Sequence, residues 1–222
     1  MTKLLAGRSV AETLDSLGFK RFLIELASQI SRAKNELDAM DSACGDGDFG
    51  STMTRAFGQA AKTLAQSSSN DVGAILTLAG TSILSSAGGA SGPLFGALFR
   101  ESGSLAKGKR EVGLQDLASM LERSNQKIRL MGGAAVGDKT LIDALEPAVS
   151  SLKESAHSGV SLDEALHRAA DSAKAGCDST KQMVAKHGRA RYLGEQTIGF
   201  VDPGAYLVCL AITTLAMSIK RN

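Results

Sequence analysis

Residues 161–177 have the sequence SLDEALHRAADSAKAGC. Ser161 and Glu164 match the capping-box pattern, in which the two side chains satisfy backbone amides at the start of a helix. The residues of one face then recur every three or four positions, as on the inner side of an amphipathic helix. They are Leu162, Ala165, Leu166, Ala169, Ala173, Cys177, Thr180 and Val184. The stretch predicts a helix over residues 161–187 whose small inner residues allow close packing.

The same helical periodicity runs through most of the chain. We predict eight helical segments, over residues 9–38, 50–67, 71–86, 91–106, 113–130, 139–157, 161–187 and 203–220. No segment alternates convincingly as a strand. The joints are short and mostly contain Gly or Ser, so consecutive helices should run antiparallel. We therefore expect one all-α domain over residues 1–222, an up-and-down bundle of about eight helices.

Composition excludes several classes of partner. The net charge is +2 and aromatic residues make up 4% of the chain, with no Trp, so we expect no nucleic-acid partner. The apolar segment 205–219 is too short to span a bilayer and is interrupted by hydroxyl residues, which indicates a buried helix and no membrane association. The N-terminus lacks the apolar core of a signal peptide. Three widely spaced cysteines suit a reducing compartment, and we expect a cytoplasmic protein.

The stretch 41–52, DSACGDGDFGST, contains the strongest functional signal. Asp and Gly are poor helix formers, so a tight turn should follow the first helix. Its acids Asp41, Asp46 and Asp48 repel one another unless a cation lies among them, and Mg²⁺ bound through oxygen leaves positions for phosphate oxygens. Residues 50–52 then offer amides and hydroxyls at a helix N-terminus, where phosphate binds readily. We infer metal-assisted phosphate chemistry.

Three other interpretations of this stretch are possible. Residues 45–50 match G-x-G-x-x-G, but a dinucleotide-binding loop needs a preceding strand and no carboxylates inside it. An EF-hand loop starting at Asp46 would need oxygen ligands where Gly50 and Phe57 lie. A solvated turn that merely caps two helices remains the structural alternative. The third acid, Asp41, and the amides and hydroxyls of residues 50–52 argue against it.

The joints after helices one, three, five and seven share glycines, hydroxyls and isolated charges. They are the Asp/Gly turn, residues 88–96, residues 131–140, and residues 188–189 with 202–204. In an up-and-down bundle every second joint lies at the same end. The remaining joints, near residues 67–70, 108 and 158–159, have the composition of ordinary solvated turns. We therefore expect a single site at one end of the bundle.

Four ordered motifs resemble the nucleotide-binding subunit or domain of dihydroxyacetone kinases. They are LDAMDSACGDGDFGSTM, GGASGPLFG, GDKTLIDALEPA and GRARYLGEQTIGFVDPGA. The resemblance extends from about Leu14 to the C-terminus. It implies a barrel of eight antiparallel helices that holds ADP or ATP at one end, and a role in glycerol metabolism.

The resemblance also implies a set of site residues. Asp41, Asp46 and Asp48 would hold two Mg²⁺ ions that bridge the nucleotide phosphates, and with Arg189 they form the predicted catalytic set. The predicted nucleotide contacts are Gly50, Ser51 and Thr52 near the phosphates, Ala90 and Ser91, Gly132 and Leu141 around the base, Arg189, and Asp202, Pro203 and Gly204. In this family a histidine of a separate subunit or domain holds dihydroxyacetone, so we expect a substrate-binding kinase subunit as partner. Self-association is left open.

The sequence determines the phosphate donor and the phosphate acceptor of the implied kinase reaction less fully than the site residues. Relatives that work with the phosphotransfer system often have His where this chain has Phe49, and Asn at the position of Thr52. The sequence therefore favours a kinase that uses free ATP. The alternatives are a subunit with resident ADP that a phosphohistidine carrier protein rephosphorylates, an erythrulose or other ketose kinase, and a nucleotide-sensing adaptor of a transcription regulator.

Nearby charged residues have structural interpretations. Arg189 could instead cap a helix or form a surface ion pair. We expect Lys139 to begin a helix that Asp138 caps. We place His157 and His187 near helix ends, where a favourable dipole contact accounts for them, and assign no histidine to catalysis.

Overall fold

A computed structural model describes residues 13–219, in which nine α-helices and two short strands are present. The strands are β1 (Thr13–Asp15) and β2 (Glu111–Gly113). The helices are α1 (Ser16–Arg32), α2 (Lys34–Ser42), α3 (Phe49–Ala65), α4 (Val72–Ser86), α5 (Ser91–Leu105), α6 (Leu114–Gly132), α7 (Ile142–Ser158), α8 (Leu162–Ser179) and α9 (Pro203–Ile219). The predicted helical residues 9–12 and 220 lie outside the described residues.

The helices pack in chain order around one hydrophobic core. From α3 to α9 each helix packs on the next, α1 packs on α3, and α9 returns to contact α1, which closes the bundle into a barrel. Where the joint between packed neighbours is short, as between α3 and α4 or between α7 and α8, the two helices run antiparallel. The predicted all-α fold class is confirmed. Among the described residues, no helix combines the length and apolar character that crossing a membrane requires.

Glycines set the distance between α4 and α5. A Cβ atom on Gly80 would lie 2.6 Å from the carbonyl oxygen of Gly96, and one on Gly103 would lie 2.7 Å from that of Gly73. Real Cβ atoms do not approach a carbonyl oxygen so closely, so any side chain at Gly80 or Gly103 would push the two helices apart. The predicted close packing through small residues is present here.

The predicted first helix is divided in two. Ala33, with φ −82° and ψ 2°, separates α1 from α2, and its amide still donates to the carbonyl oxygen of Gln29. Beyond the break, α2 packs on α3 and also contacts α9. The Asp/Gly turn therefore lies between two helices that pack on each other.

The predicted helix 161–187 ends early, at Ser179. The Thr180 hydroxyl donates to the carbonyl oxygen of Cys177, a single 3-10 turn covers Thr180–Gln182, and Met183 is extended. A Ser or Thr hydroxyl that bonds the backbone in this way competes with helical hydrogen bonds. Thr180 is buried as expected, whereas Val184 is only half-buried and lies beyond the helix.

The strand pair was not predicted. β1 and β2 pair antiparallel, with Leu14 opposite Val112, and both side chains are buried. Three residues are too few for an alternating pattern to stand out from the surrounding sequence. The pair joins the start of α1 to the start of α6, at the opposite end of the bundle from the Asp/Gly turn.

Candidate functional site

Three carboxylates converge where α2 ends and α3 begins. Asp41, Asp46 and Asp48 each place one carboxylate oxygen within 4.8 Å of those of the other two. Asp41 is half-buried in the last turn of α2, and the other two are exposed. Carboxylate oxygens at this separation are the donors that hard divalent cations such as Mg²⁺ bind. The residues therefore fit the predicted cation.

Hydrogen bonds and two glycines hold the turn in this shape. Asp41 Oδ2 accepts from the amides of Asp48 (3.0 Å) and Phe49 (3.2 Å), which fixes both the turn and the first residue of α3. A Cβ atom on Gly45 would overlap Asp41 Oδ1, and Gly47 has a φ of +75°, in the left-handed region that favours glycine. The Asp-Gly alternation thus provides space and backbone freedom for the carboxylate cluster.

Arg189 reaches the cluster from the joint between α8 and α9. Its guanidinium group forms an ion pair with Asp46 Oδ2, and both side chains are largely exposed. Arg189 precedes the 3-10 segment Ala190–Thr197. The surface ion pair that we considered for this residue is therefore present, and its partner is one of the three predicted metal ligands.

At the start of α3, the residues predicted to contact phosphate are buried or bonded to another side chain. Gly50 and Thr52 are buried, and the Ser51 amide and hydroxyl both donate to the carboxylate of Asp38, at 2.8 and 2.9 Å. Sequence reasoning missed Asp38. It lies three residues before Asp41 on α2, and this spacing, which places two acids on one helical face, was the available signal.

The Gly-rich joint before α5 leaves a helix start without a side-chain cap. Ala90 occupies the N-cap position and makes no such bond, and Ser91 is the first helical residue. Gly89, with a φ of +68°, turns the chain into the helix. At the end of α6, a Cβ atom on Gly132 would lie 3.9 Å from Leu94 Cδ2, so the two joints lie side by side.

Leu141 and the start of α9 are in direct contact. A Cβ atom on Gly204 would lie 3.4 Å from Leu141 Cβ and 3.0 Å from Asp202 Oδ2. Asp202 caps α9 by accepting from the amide of Ala205 at 2.7 Å, and Pro203 occupies the first helical position, where its missing amide proton is harmless. Burial raises the pKa of Asp202 to about 7.

Lys139 does not begin a helix, contrary to prediction. It is a non-glycine residue with a φ of 59°, its exposed fraction is 5%, and Nζ donates to the carbonyl oxygens of Thr180 and Phe200, each at 2.5 Å. α7 begins only at Ile142. The buried ammonium group instead connects the α6–α7 joint to the chain between α8 and α9.

Asp138 does not cap α7 either, because Leu141 occupies the N-cap position and makes no side-chain cap bond. Asp143, in the first turn of α7, instead accepts from the amides of Gly137 and Thr140 in the preceding joint. Asp138 accepts from Lys186 Nζ (2.7 Å) and the Ala135 amide (2.8 Å), and these bonds lower its pKa to about 2. His187 Nε2 lies 3.2 Å from the same carboxylate, so His187 pairs with an acid and is not at a helix end.

Of the other two histidines, His157 lies near a helix end as predicted, in the last turn of α7, where its Nδ1 contacts the Lys153 carbonyl oxygen. His167 Nδ1 makes the corresponding contact to the Asp163 carbonyl oxygen within α8.

The four predicted joints therefore meet at one end of the bundle. Arg189 joins the last of them to the Asp/Gly turn, Leu141 contacts Gly204, and Leu94 contacts Gly132. Arg189 and Asp46 were predicted as site residues, and so were Leu141, Gly132 and Gly204. Their roles toward a nucleotide stay a prediction.

Comparison with known proteins gives a consistent family. The DAK2 domain family model matches residues 43–217. The chain is 38% identical over 185 residues to the PEP-dependent dihydroxyacetone kinase ADP-binding subunit DhaL of Escherichia coli, covering 83% of this chain and 88% of that one. It is 32% identical to the corresponding subunit DhaL of kinase 2 of Listeria innocua, covering 94% and 97%.

A solved structure has the same fold. The dihydroxyacetone kinase of C. freundii, in complex with AMP-PNP and Mg²⁺, matches with a TM-score of 0.70 and 28% identity. The match covers 98% of this chain and 37% of that longer one. With the family model matched over most of its length, the chain belongs to the DAK2 domain family.

Proposed function

We propose that this chain is the nucleotide-binding subunit of a kinase that phosphorylates dihydroxyacetone or a closely related ketose. The observation that carries the proposal is the convergence of Asp41, Asp46 and Asp48 beside Arg189. Relatives covered over 88% and 97% of their length are named as ADP-binding subunits of dihydroxyacetone kinases, which supports the assignment. The domain boundary we propose is the whole of residues 1–222.

The three carboxylates would hold two Mg²⁺ ions, which would neutralise charge on the transferred phosphoryl group. Asp41 would bind from a fixed position, because two backbone amides already orient its carboxylate. Arg189 would leave Asp46 and approach the phosphates. Residues proposed to contact the nucleotide are Gly50, Ser51, Thr52, Ala90, Ser91, Gly132, Leu141, Asp202, Pro203 and Gly204.

A substrate-binding subunit would dock at this end of the bundle. Several large apolar side chains are exposed in the last turn of α6 and on the α6–α7 and α8–α9 joints, with exposed fractions of 84% for Leu130 and 77% for Tyr192. The others are Met131, Val136, Leu193, Ile198 and Phe200. Exposed apolar groups gathered in one region are typical of protein interfaces. We propose a cytoplasmic location for the assembled enzyme.

The metal assignment is tested by Asp46→Asn. Mg²⁺-dependent ADP binding, measured by calorimetry, should be lost while helicity is retained, because an exposed turn contributes little to the core. Asp116→Asn removes the same charge at the opposite end, where Asp116 pairs with Lys109, and should bind ADP normally. Unchanged ADP affinity in Asp46→Asn would show that the assignment is wrong.

The subunit assignment is tested by activity. The purified chain should bind nucleotide yet produce no dihydroxyacetone phosphate, and adding a substrate-binding subunit should restore ATP-dependent phosphorylation of trioses or tetruloses. Robust product formation by the chain alone, with contaminating kinase excluded, would contradict the need for a partner.

A second candidate is a subunit with resident ADP that a phosphohistidine carrier protein rephosphorylates. It is favoured because the relatives that match this chain nearly end to end are named PEP-dependent, and a further one from Lactococcus lactis is named PTS-dependent. Phe49 does not count against this candidate, because its side chain lies in the core and contacts Phe95. Near-stoichiometric ADP after extensive dialysis in Mg²⁺ would select this candidate, and turnover with added ATP would select the first.

A further inference from the structure

Helix α3 begins without the capping bond that its sequence position offers. Asp48 occupies the N-cap position, but its side chain accepts no hydrogen bond from the first turn. Four other helices of the described chain are capped by the residue at that position. Asp15 accepts from the Gly18 amide at 2.7 Å, Asp71 from Ala74 at 3.1 Å, Ser161 from Glu164 at 3.2 Å, and Asp202 from Ala205 at 2.7 Å. An Asp at the N-cap normally accepts from the third helical amide.

Asp38, on the neighbouring helix α2, supplies the missing acceptor. Its Oδ1 accepts from the amide of Ser51, the third residue of α3, at 2.8 Å. Its Oδ2 accepts from the Ser51 hydroxyl and from Lys34 Nζ, both at 2.9 Å. The side chain is 18% exposed. The third amide of α3 is thus satisfied from outside the helix.

Close packing of α2 against α3 makes this contact geometrically available. Gly50 is buried, a Cβ atom on it would overlap the carbonyl oxygen of Lys34, and it would lie 2.9 Å from Asp38 Oδ1. Any larger residue at this position would move the start of α3 away from Asp38. Gly50 therefore has a packing role beside its proposed place near the phosphates.

We propose that Asp38 is a positioning residue that caps α3 so that the Asp48 carboxylate stays available to the metal cluster. The proposal rests on the proposed function, in which Asp41, Asp46 and Asp48 bind the cation. Without Asp38, the carboxylate at the N-cap position of α3 is that of Asp48 itself. Asp48 would turn toward its own helix by exchanging its ψ of 3° for the extended ψ that Asp15 and Asp71 have in theirs, and the cluster would lose a ligand.

The test is the affinity for Mn²⁺, a hard divalent cation whose free concentration is read by electron paramagnetic resonance, with the full chain and no nucleotide present. Asp38→Ala should weaken Mn²⁺ binding about tenfold or more, as is usual when the partner that orients a ligand is removed. Asp38→Asn removes the same charge but keeps an oxygen for the Ser51 amide, and should stay within about threefold of wild type. Equal losses of Mn²⁺ affinity in both variants would show that only the charge of Asp38 matters, and would overturn the proposal.

Two controls separate this proposal from the proposed function. Asp71→Ala removes a cap at the other end of the bundle, where Asp71 accepts from Ala74 and Gly108, and should lower the melting temperature without changing Mn²⁺ affinity. Asp48→Ala should abolish tight Mn²⁺ binding. Unchanged Mn²⁺ binding in Asp48→Ala would refute the metal cluster. If Asp48→Ala loses Mn²⁺ binding but Asp38→Ala keeps full Mn²⁺ affinity, only the positioning role of Asp38 is refuted.

Hydrogen exchange at the Ser51 amide gives a readout that does not depend on metal. In Asp38→Ala this amide should keep part of its protection, because Asp48 takes over as acceptor, and Asp38→Ala/Asp48→Ala should lose it. Complete loss of protection already in Asp38→Ala would show that Asp48 does not turn. Asp38→Ser, whose side chain is too short to reach Ser51, replaces Asp38→Ala if the latter does not fold.

Discussion

Lys139 Nζ donates a hydrogen bond at 2.5 Å to the carbonyl oxygen of Phe200, which lies 61 residues further along the chain. A second bond of the same length goes to the carbonyl oxygen of Thr180. Burial lowers the pKa of Lys139, and the nearby carboxylates of Asp202 and Asp143 oppose that shift. The ammonium group therefore holds the α6–α7 joint against the two ends of the α8–α9 joint, which contains the proposed nucleotide contacts Arg189 and Asp202.

Lys139→Met should lower both stability and nucleotide affinity. The substitution leaves the buried carbonyl oxygen of Thr180 and the partly buried one of Phe200 without this donor. The expected cost is about 2–4 kcal/mol in the free energy of unfolding. Urea unfolding and ADP calorimetry check the two effects. Lys109→Met is the control, because Lys109 pairs with Asp116 on the surface, and it should change both quantities much less. Similar costs in the two variants would contradict the role of Lys139.

Phe49→His should destabilise the fold without tightening ADP retention. Phe49 is 9% exposed and meets Phe95 edge-to-face, with ring centroids 6.5 Å apart, so an imidazole there buries a polar group in an apolar contact. The expected cost is about 1–3 kcal/mol in urea unfolding. Phe49→Leu, which stays apolar, should cost less. Tighter ADP retention after dialysis with unchanged stability would instead place position 49 at the phosphates.

The helices and the carboxylate cluster could be predicted because each is local in sequence. A helical face repeats every three or four residues, and Asp41, Asp46 and Asp48 lie within eight consecutive positions. Alternation between opposite ends of a bundle then brought Arg189 and Gly204 to the same region without knowledge of any contact.

What could not be predicted depends on contacts between distant segments. Asp38 caps a helix that it does not belong to, and Lys139 bonds to carbonyl oxygens 41 and 61 residues away, so neither has a local pattern. The orientation of the Phe49 side chain also depends on a contact between distant segments. Its neighbours Asp48 and Ser51 are polar, and its ring lies in the core against that of Phe95 on α5.

Arg189→Gln should change metal affinity and nucleotide affinity in opposite directions. The guanidinium group pairs with Asp46, so its removal should strengthen Mn²⁺ binding without nucleotide, by up to about fivefold for an exposed pair. ADP binding in Mg²⁺ should weaken, because the proposed cationic contact to phosphate is lost. Arg191→Gln removes the same charge two residues away, where the guanidinium lies 4.7 Å from the Tyr192 ring centroid, and should show neither effect. Stronger Mn²⁺ binding in both variants would show that the loss of a positive charge, and not the loss of the ion pair with Asp46, is the cause.

Asp138→Asn should remove a contribution to stability that depends on pH. The hydrogen bond from Lys186 and that from the Ala135 amide lower the pKa of Asp138 from 3.8 to about 2. Between these values the unfolded chain binds more protons than the folded one, so this contribution is complete above about pH 5 and is lost progressively as the pH falls through about 2. With allowance for the exposed Lys186, wild type should exceed Asp138→Asn by about 1–2 kcal/mol in urea unfolding at pH 6, and the gap should fall to about a third of that at pH 2.5. Asp116→Asn controls for the lost charge, and a gap that stays constant with pH would show that the Asp138 carboxylate is not the titrating group.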